Sequence, residues 1–221
     1  MDIWLWSNPR LSKRRESTKS VLYTFNPGVT MLIGPNGSGK TTALSQIRSL
    51  FSTQDDLIKK WDQIDKNDNI RNLYSSYLYD NVYEEKFAKE RWTYSDQMER
   101  IAQTFENSEG QDMWDFLYYK IEEIGRAVTK AIKDNKKGIF ILLDGLDSGL
   151  SLDIIYKIRK DVLGFIIKTE RKRSDLEVYI ICSANSYEFC NNYDCIDVTN
   201  QEHITFTNYE DYSNYFIKED V

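Results

Sequence analysis

The stretch Gly34-Pro35-Asn36-Gly37-Ser38-Gly39-Lys40-Thr41-Thr42 decides how this chain is to be read. It follows a short, wholly apolar run, Val29 to Ile33, and it opens a segment, Thr41 to Phe51, patterned as a helix. Its first eight residues fit GxxxxGK[ST] in the context that motif needs, between a buried strand and a helix. Gly37 and Gly39 let the backbone curl until successive N–H groups face one anion. The helix that begins near Lys40 adds its positive end. Lys40 is placed to reach the β- and γ-phosphates of a nucleotide, and the Thr41 hydroxyl to ligate Mg²⁺. Gly34, Asn36, Ser38 and Thr42 complete the candidate nucleotide-binding set.

Working outward, Ile3-Trp4-Leu5-Trp6 and Val21 to Phe25 read as early strands, and Asn26-Pro27-Gly28 as a turn. Residues 52 to 106 are polar, aromatic and charge-mixed, and are expected to form a helical arm or lid, with a short strand at Tyr77-Leu78-Tyr79 as the alternative for that piece. Gln111 to Ile132 carries Met113, Phe116, Leu117, Ile121, Ile124 and Val128 at helical spacing. Ile139 to Leu143 is a buried strand, Leu152 to Thr169 a helix, and Val178 to Ile181 another buried strand. Ile196 to Val198 and His203 to Phe206 form a tail hairpin across a polar turn. Strands alternating with helices predict an α/β sandwich, here one domain over residues 1–221 with an insert at 52–106.

Ile139 to Leu143 ends in Asp144. A buried strand that delivers a carboxylate beside a phosphate loop serves Mg²⁺, directly or through water; the same aspartate could instead cap the next helix.

Composition narrows the function classes. Asp plus Glu outnumber Lys plus Arg by 35 to 29, so a general polyanion binder is disfavoured while a local basic face stays open. No apolar run approaches the roughly 20 residues that span a bilayer. Met1 to Arg10 lacks a basic leader followed by an apolar stretch, so no signal peptide is expected. Cys182, Cys190 and Cys195 are odd in number and lack CxxC spacing, which predicts no disulfide framework or zinc site and a reducing, cytoplasmic setting.

Leu143-Asp144-Gly145-Leu146-Asp147-Ser148-Gly149-Leu150-Ser151 resembles the Walker B strand end and D-loop of ABC-type ATPases, and the wording of the phosphate loop is similar to theirs. Asn107-Ser108-Glu109-Gly110-Gln111 resembles their signature motif in Ser108, Gly110 and Gln111, and likewise opens a helix leading toward Walker B. The resemblance implies a P-loop NTPase fold with an ABC-ATPase-like head, ATP and Mg²⁺ as cofactors, and a homodimer closed by ATP in which one subunit's signature covers the other's γ-phosphate. It spans most of the chain outside residues 52–106 and is nearer to the SMC- and RecF-like branch, and to small stand-alone bacterial or phage ATPases, than to transporter motors.

Two departures bear on hydrolysis. The family's water-polarising Glu directly after the Walker B Asp is Gly145 here, and its switch His aligns with Asn185, which can donate to a phosphate but takes up no proton near neutral pH. Asp147 is a candidate substitute base. Asp80 and Asn81 are candidates for the family's second Mg²⁺-contacting loop, or else a plain turn. Tyr23, Phe25, Trp4 and Trp6 either stack on adenine or belong to the core. The basic clusters Arg10 to Lys19 and Lys157 to Arg173, and Arg48, either meet DNA or form solvated faces. The only histidine, His203, is expected to be a partly exposed strand residue. A protein partner is expected to complete the function, and restoring the family's carboxylate by Gly145→Glu is expected to raise any ATPase rate.

Overall fold

A computed structural model describes residues 1–6, 20–51, 67, 69–80, 109–148, 150–171 and 175–217. Its centre is a six-stranded sheet in the order β4-β5-β6-β3-β7-β8. The strands are β3 (Gly28–Ile33), β4 (Tyr74–Asp80), β5 (Gly138–Asp144), β6 (Glu177–Ser183), β7 (Asp194–Asp197) and β8 (His203–Ile204). All neighbours pair in parallel except β7 and β8, which are antiparallel. A separate antiparallel ribbon joins β1 (Asp2–Trp6) to β2 (Ser20–Thr24).

Parallel strands covered on both faces read as continuous apolar runs, and β5 and β6 do. Within them the two faces still alternate. Ile139, Ile141, Leu143, Val178, Ile180 and Cys182 face one core. Phe140, Leu142, Tyr179 and Ile181 face the other. The first core is roofed by α3 (Glu109–Lys133) through Ile124, Val128 and Ala131, and by the helices after β5. The second is roofed by α1 (Lys40–Ser49) through Ala43, Leu44 and Ile47, and by Ile3, Leu5, Tyr23 and Phe25 of the ribbon region. The Phe140 and Tyr179 rings stack with centroids 4.6 Å apart, a pair worth about 0.5–1.5 kcal/mol beyond its burial.

The segment after β5 is α4 (Leu152–Lys157), a π-helical stretch (Ile158–Leu163) and α5 (Gly164–Arg171). The wider π turn lets Ile158, Val162 and Leu163 all reach the core. The chain continues through α6 (Tyr187–Cys190) and, past β8, α7 (Tyr209–Phe216).

The short strand read at Tyr77-Leu78-Tyr79 is present and longer: α2 (Ile70–Leu73) leads into β4, which takes an outer position of the main sheet and pairs along its length with β5, so residues 74–80 of the expected arm belong to the sheet. The alternation Tyr74, Ser76, Leu78 against Ser75, Tyr77, Tyr79 is that of a strand with both faces partly covered. The rest of the 52–106 segment, except Asn67 and Asn69, lies outside the described residues. The tail hairpin is present, with Cys195 opposite Ile204, and β7 also adds in parallel to β3.

Candidate nucleotide-binding site

All five parallel strands end on the same edge, and in open α/β sheets that is where ligands bind. In spatial order the last residues of β4, β5, β6 and β7 are Asp80, Asp144, Ser183 and Asp197, with the phosphate loop leaving β3 between the last two.

The loop turns on backbone geometry. Gly34, Gly37 and Gly39 have φ of 143°, 82° and 111°, all in the region that favours glycine. A Cβ on Gly34 would also fall 2.6 Å from the Ser38 Oγ, so loop closure requires glycine at that position. The Ser38 N–H donates to the Pro35 carbonyl at 3.1 Å, and Ala43 N–H to Gly39 at 2.8 Å as the helix starts. Lys40 is buried and donates to the Gly34 carbonyl at 2.7 Å and the Pro35 carbonyl at 3.4 Å. Burial pulls its ammonium below the ordinary lysine range, and Asp147, Asp144 and Asp197 pull it back up. Thr41 is exposed, Thr42 half-buried and Asn36 exposed, on the first turn of α1 and on the loop.

Asp144 is buried at the end of β5, two strands from the loop. Because β6 lies between, its last residue, Ser183, meets Asp144: the Ser183 Oγ donates to Asp144 Oδ1 at 2.5 Å. The same Oγ accepts from the Gly145 N–H at 2.9 Å. The sequence reading missed Ser183; a hydroxyl closing an apolar strand beside the phosphate-loop strand was the available signal. It also missed Asp197, which is buried and accepts from Thr199 N–H at 2.8 Å and from the Thr199 and Tyr215 hydroxyls at 2.7 and 2.8 Å.

Asp147, the candidate substitute base, Asn185 and Gly145 are joined at the turns after β5 and β6. Asp147 is buried, and its two oxygens accept from Asn185 N–H (2.7 Å), Asn185 Nδ2 (3.1 Å), Ser186 N–H (2.9 Å) and Ser186 Oγ (3.0 Å). It ties the turn after β5 to the turn after β6. Asn185 is thereby held over residues 147 and 148, its Nδ2 also 3.3 Å from the Ser148 Oγ. Gly145 has a φ of 72° and accepts from Ser148 N–H at 3.2 Å, so it turns the chain. A glutamate there would adopt the left-handed conformation at a cost of about 1–2 kcal/mol. The expectation that Gly145→Glu restores a family site is therefore replaced by an expectation of strain.

The other candidates divide. Gly110 and Gln111 lie in the first turn of α3, which starts at Glu109; Ser108, and the side chains of residues 109 to 119, lie outside the described residues. Asp80 ends β4 directly opposite Asp144 in the register, its side chain outside the described set together with Asn81. Tyr23 and Phe25 are core residues. Trp4 and Trp6 alternate with Ile3 and Leu5 and so sit on the other face of the ribbon from Tyr23. Their backbones are capped by side-chain amides: Trp4 N–H donates to Asn67 at 3.0 Å and Trp6 N–H to Gln46 at 2.8 Å. Of the basic clusters, Arg159 is turned inward. Its guanidinium donates to the Glu188 carbonyl, the Asn191 carbonyl and the Asn191 side chain at 2.7 to 2.8 Å, and lies 5.0 Å from the Tyr193 ring centre. Arg48, Lys157, Lys160 and Lys168 are exposed, and residues 10 to 19 and 172 to 173 lie outside the described set. His203 is on β8, paired with Asp194 at 3.0 Å.

A family model described as an AAA domain matches residues 18–219. The chain belongs to the AAA domain family. It is an ATP-binding protein of the P-loop ATPase class, with the mixed α/β fold that class has. Among curated proteins, a Pyrococcus horikoshii protein named "Putative ABC transporter ATP-binding protein" is 34% identical over 50 residues. Those residues are 23% of this chain and 18% of that relative, so the similarity covers under a fifth of the longer protein. Among the described residues of this AAA domain, no helix is long and apolar enough to cross a membrane.

Proposed function

We propose that this AAA domain is an ABC-type ATPase head that works as an ATP-driven dimerising switch with slow or partner-dependent hydrolysis. The observation that carries the proposal is the pairing of a complete phosphate loop and a buried Asp144 with a turn that offers no general base. Gly145 has no side chain, and Asp147 is engaged by four hydrogen bonds from residues 185 and 186. Nucleotide would sit on backbone N–H groups of the loop from Asn36 to Thr42 and on Lys40.

Mg²⁺ fits the residues present. Asp144, buried at the end of β5, and the Thr41 hydroxyl on the first turn of α1 are hard oxygen donors of the kind Mg²⁺ takes. Thr41 and Asp144 would hold the ion, which would neutralise phosphate charge when bound. The chain's own residues do the rest: Lys40 and the loop N–H groups bind and orient the phosphates. In a closed dimer, Ser108, Gly110 and Gln111 would cover the second subunit's nucleotide. A protein partner, with DNA as a further candidate, would complete the cycle in DNA metabolism or a bacterial or phage conflict system. The switch would act in the cytoplasm, without a membrane partner.

The test is phosphate release and light scattering on the purified chain with and without ATP. Slow turnover abolished by Lys40→Ala, together with ATP-dependent doubling of mass, supports the switch. A chain that stays monomeric at saturating ATP, or a Ser108→Arg variant that dimerises as well as wild type, ends the sandwich model. A second reading, a nucleotide sensor without turnover, is favoured by the left-handed Gly145 and the amide at position 185; bound ATP with no phosphate release would select it. The transporter-motor reading is disfavoured by Gly145 and Asn185.

A further inference from the structure

We infer that Ser183 is a positioning residue for the Asp144 carboxylate, and through it for the divalent cation of the site; the inference rests on the proposed nucleotide reading. Leu143 of β5 stands opposite Cys182 of β6, so the next residues along, 144 and 183, emerge side by side at the strand ends. Ser183 is 2% exposed and Asp144 8%, so water does not readily stand in for a lost partner.

The hydrogen-bond directions are fixed by inventory. A serine hydroxyl carries one proton. The Gly145 N–H can only donate, and it occupies a lone pair of the Ser183 Oγ at 2.9 Å. The hydroxyl proton is then directed to Asp144 Oδ1, 2.5 Å away. That bond restrains the rotation of the carboxylate about Cβ–Cγ. The same oxygen holds the amide that starts the left-handed turn at Gly145. One atom therefore contacts both the carboxylate and the backbone directly after it.

An apolar side chain at 183 would keep the β6 strand, whose pairing is made by backbone groups, and remove both contacts. Partners of metal-holding side chains typically change metal affinity by about 10- to 100-fold when removed. A residue that served only the fold would instead lower stability and the binding of metal-free nucleotide alike.

The experiment uses the full chain and calorimetry with ADP, without Mg²⁺ and then with a Mg²⁺ titration, alongside thermal melts. Ser183→Ala is expected to bind metal-free ADP as wild type does and to need about tenfold more Mg²⁺ to reach half its effect. Ser183→Thr, which keeps the hydroxyl, is expected to restore wild-type Mg²⁺ dependence. If Ser183→Ala does not fold, Ser183→Cys keeps the shape with a weak donor and is expected to show the same Mg²⁺ defect. A Mg²⁺ dependence within twofold of wild type in the folded Ala or Cys variant overturns the inference. So does an equal loss of metal-free and Mg²⁺-bound affinity. A wild-type chain that binds no ADP under either condition overturns the nucleotide reading itself, a different result from either of these.

Discussion

The two edges of the central sheet both carry buried or half-buried polar clusters, and they are built in opposite ways. At the strand starts, Glu177 accepts from the Tyr74 and Tyr179 hydroxyls at 2.9 and 2.8 Å and pairs with Lys137 at 3.1 Å. Burial pushes the Glu177 carboxyl up, but those donors outweigh it and hold it below the ordinary glutamate range. One carboxylate meets one ammonium and two hydroxyls, and the cluster is closed. At the strand ends, among the described residues, the Asp147, Asp144 and Asp197 carboxylates all act on the Lys40 ammonium. The glycines at 34, 37, 39 and 145 all have positive φ there, whereas of the two strand-start glycines Gly28 does and Gly138 does not. A balanced edge stabilises the fold. An edge that gathers carboxylates and positive-φ glycines around a buried lysine is what the proposed nucleotide reading requires.

Substitutions at the two edges should therefore act on different observables. The largest effect is expected for Lys40→Ala. Charge-assisted hydrogen bonds contribute about 1.5–3 kcal/mol, so ATP should bind about 10- to 100-fold more weakly in calorimetry. Unchanged affinity would remove the functional contrast between the edges.

Next is Asp147→Ala, which strips acceptors from two backbone N–H groups and two side chains. A loss of about 2 kcal/mol is expected, seen as a fall in melting temperature of about 4–8 °C for a chain of this size. Asp147→Asn sharpens the point. If Asp147 were the base, that variant would lose turnover while melting almost as wild type does.

Gly145→Glu is expected to cost about 1–2 kcal/mol of stability through left-handed strain and to leave phosphate release no faster. A faster rate with an unchanged melt would show that the turn accommodates the carboxylate.

The smallest effect belongs to the closed edge. Glu177→Gln should leave nucleotide binding intact and cost under about 1 kcal/mol near neutral pH. The sign of its pH dependence follows from a lowered folded-state pKa. The carboxylate's contribution is fully present above the ordinary value of 4.5 and is lost as pH falls through the lowered one. Melts at neutral and acid pH should differ less in the variant than in wild type.

The phosphate loop was legible because its chemistry is local: within eight residues, Gly34, Gly37 and Gly39 serve the backbone turn and Lys40 and Thr41 the phosphates and cation. Asp144 was legible because a carboxylate closing a five-residue apolar run has few other uses. The order of strands was not, since nothing local says that β6 inserts between β3 and β5. Without that order, Ser183 is an ordinary serine, and Asp147 is a carboxylate three residues after Asp144. Likewise Tyr77-Leu78-Tyr79 is too short a run to declare itself a sheet strand, and only pairing with β5 makes it one.

The sequence by itself determined a phosphate-loop motif on a strand-turn-helix and an aspartate closing a buried strand, because both depend on residues adjacent in the chain. Only the tertiary structure decided which groups orient that aspartate, which carboxylate is spent on tying two turns together, and why position 145 is glycine. Those outcomes depend on hydrogen bonds between residues 38 and 39 positions apart, and on a backbone φ that packing alone sets.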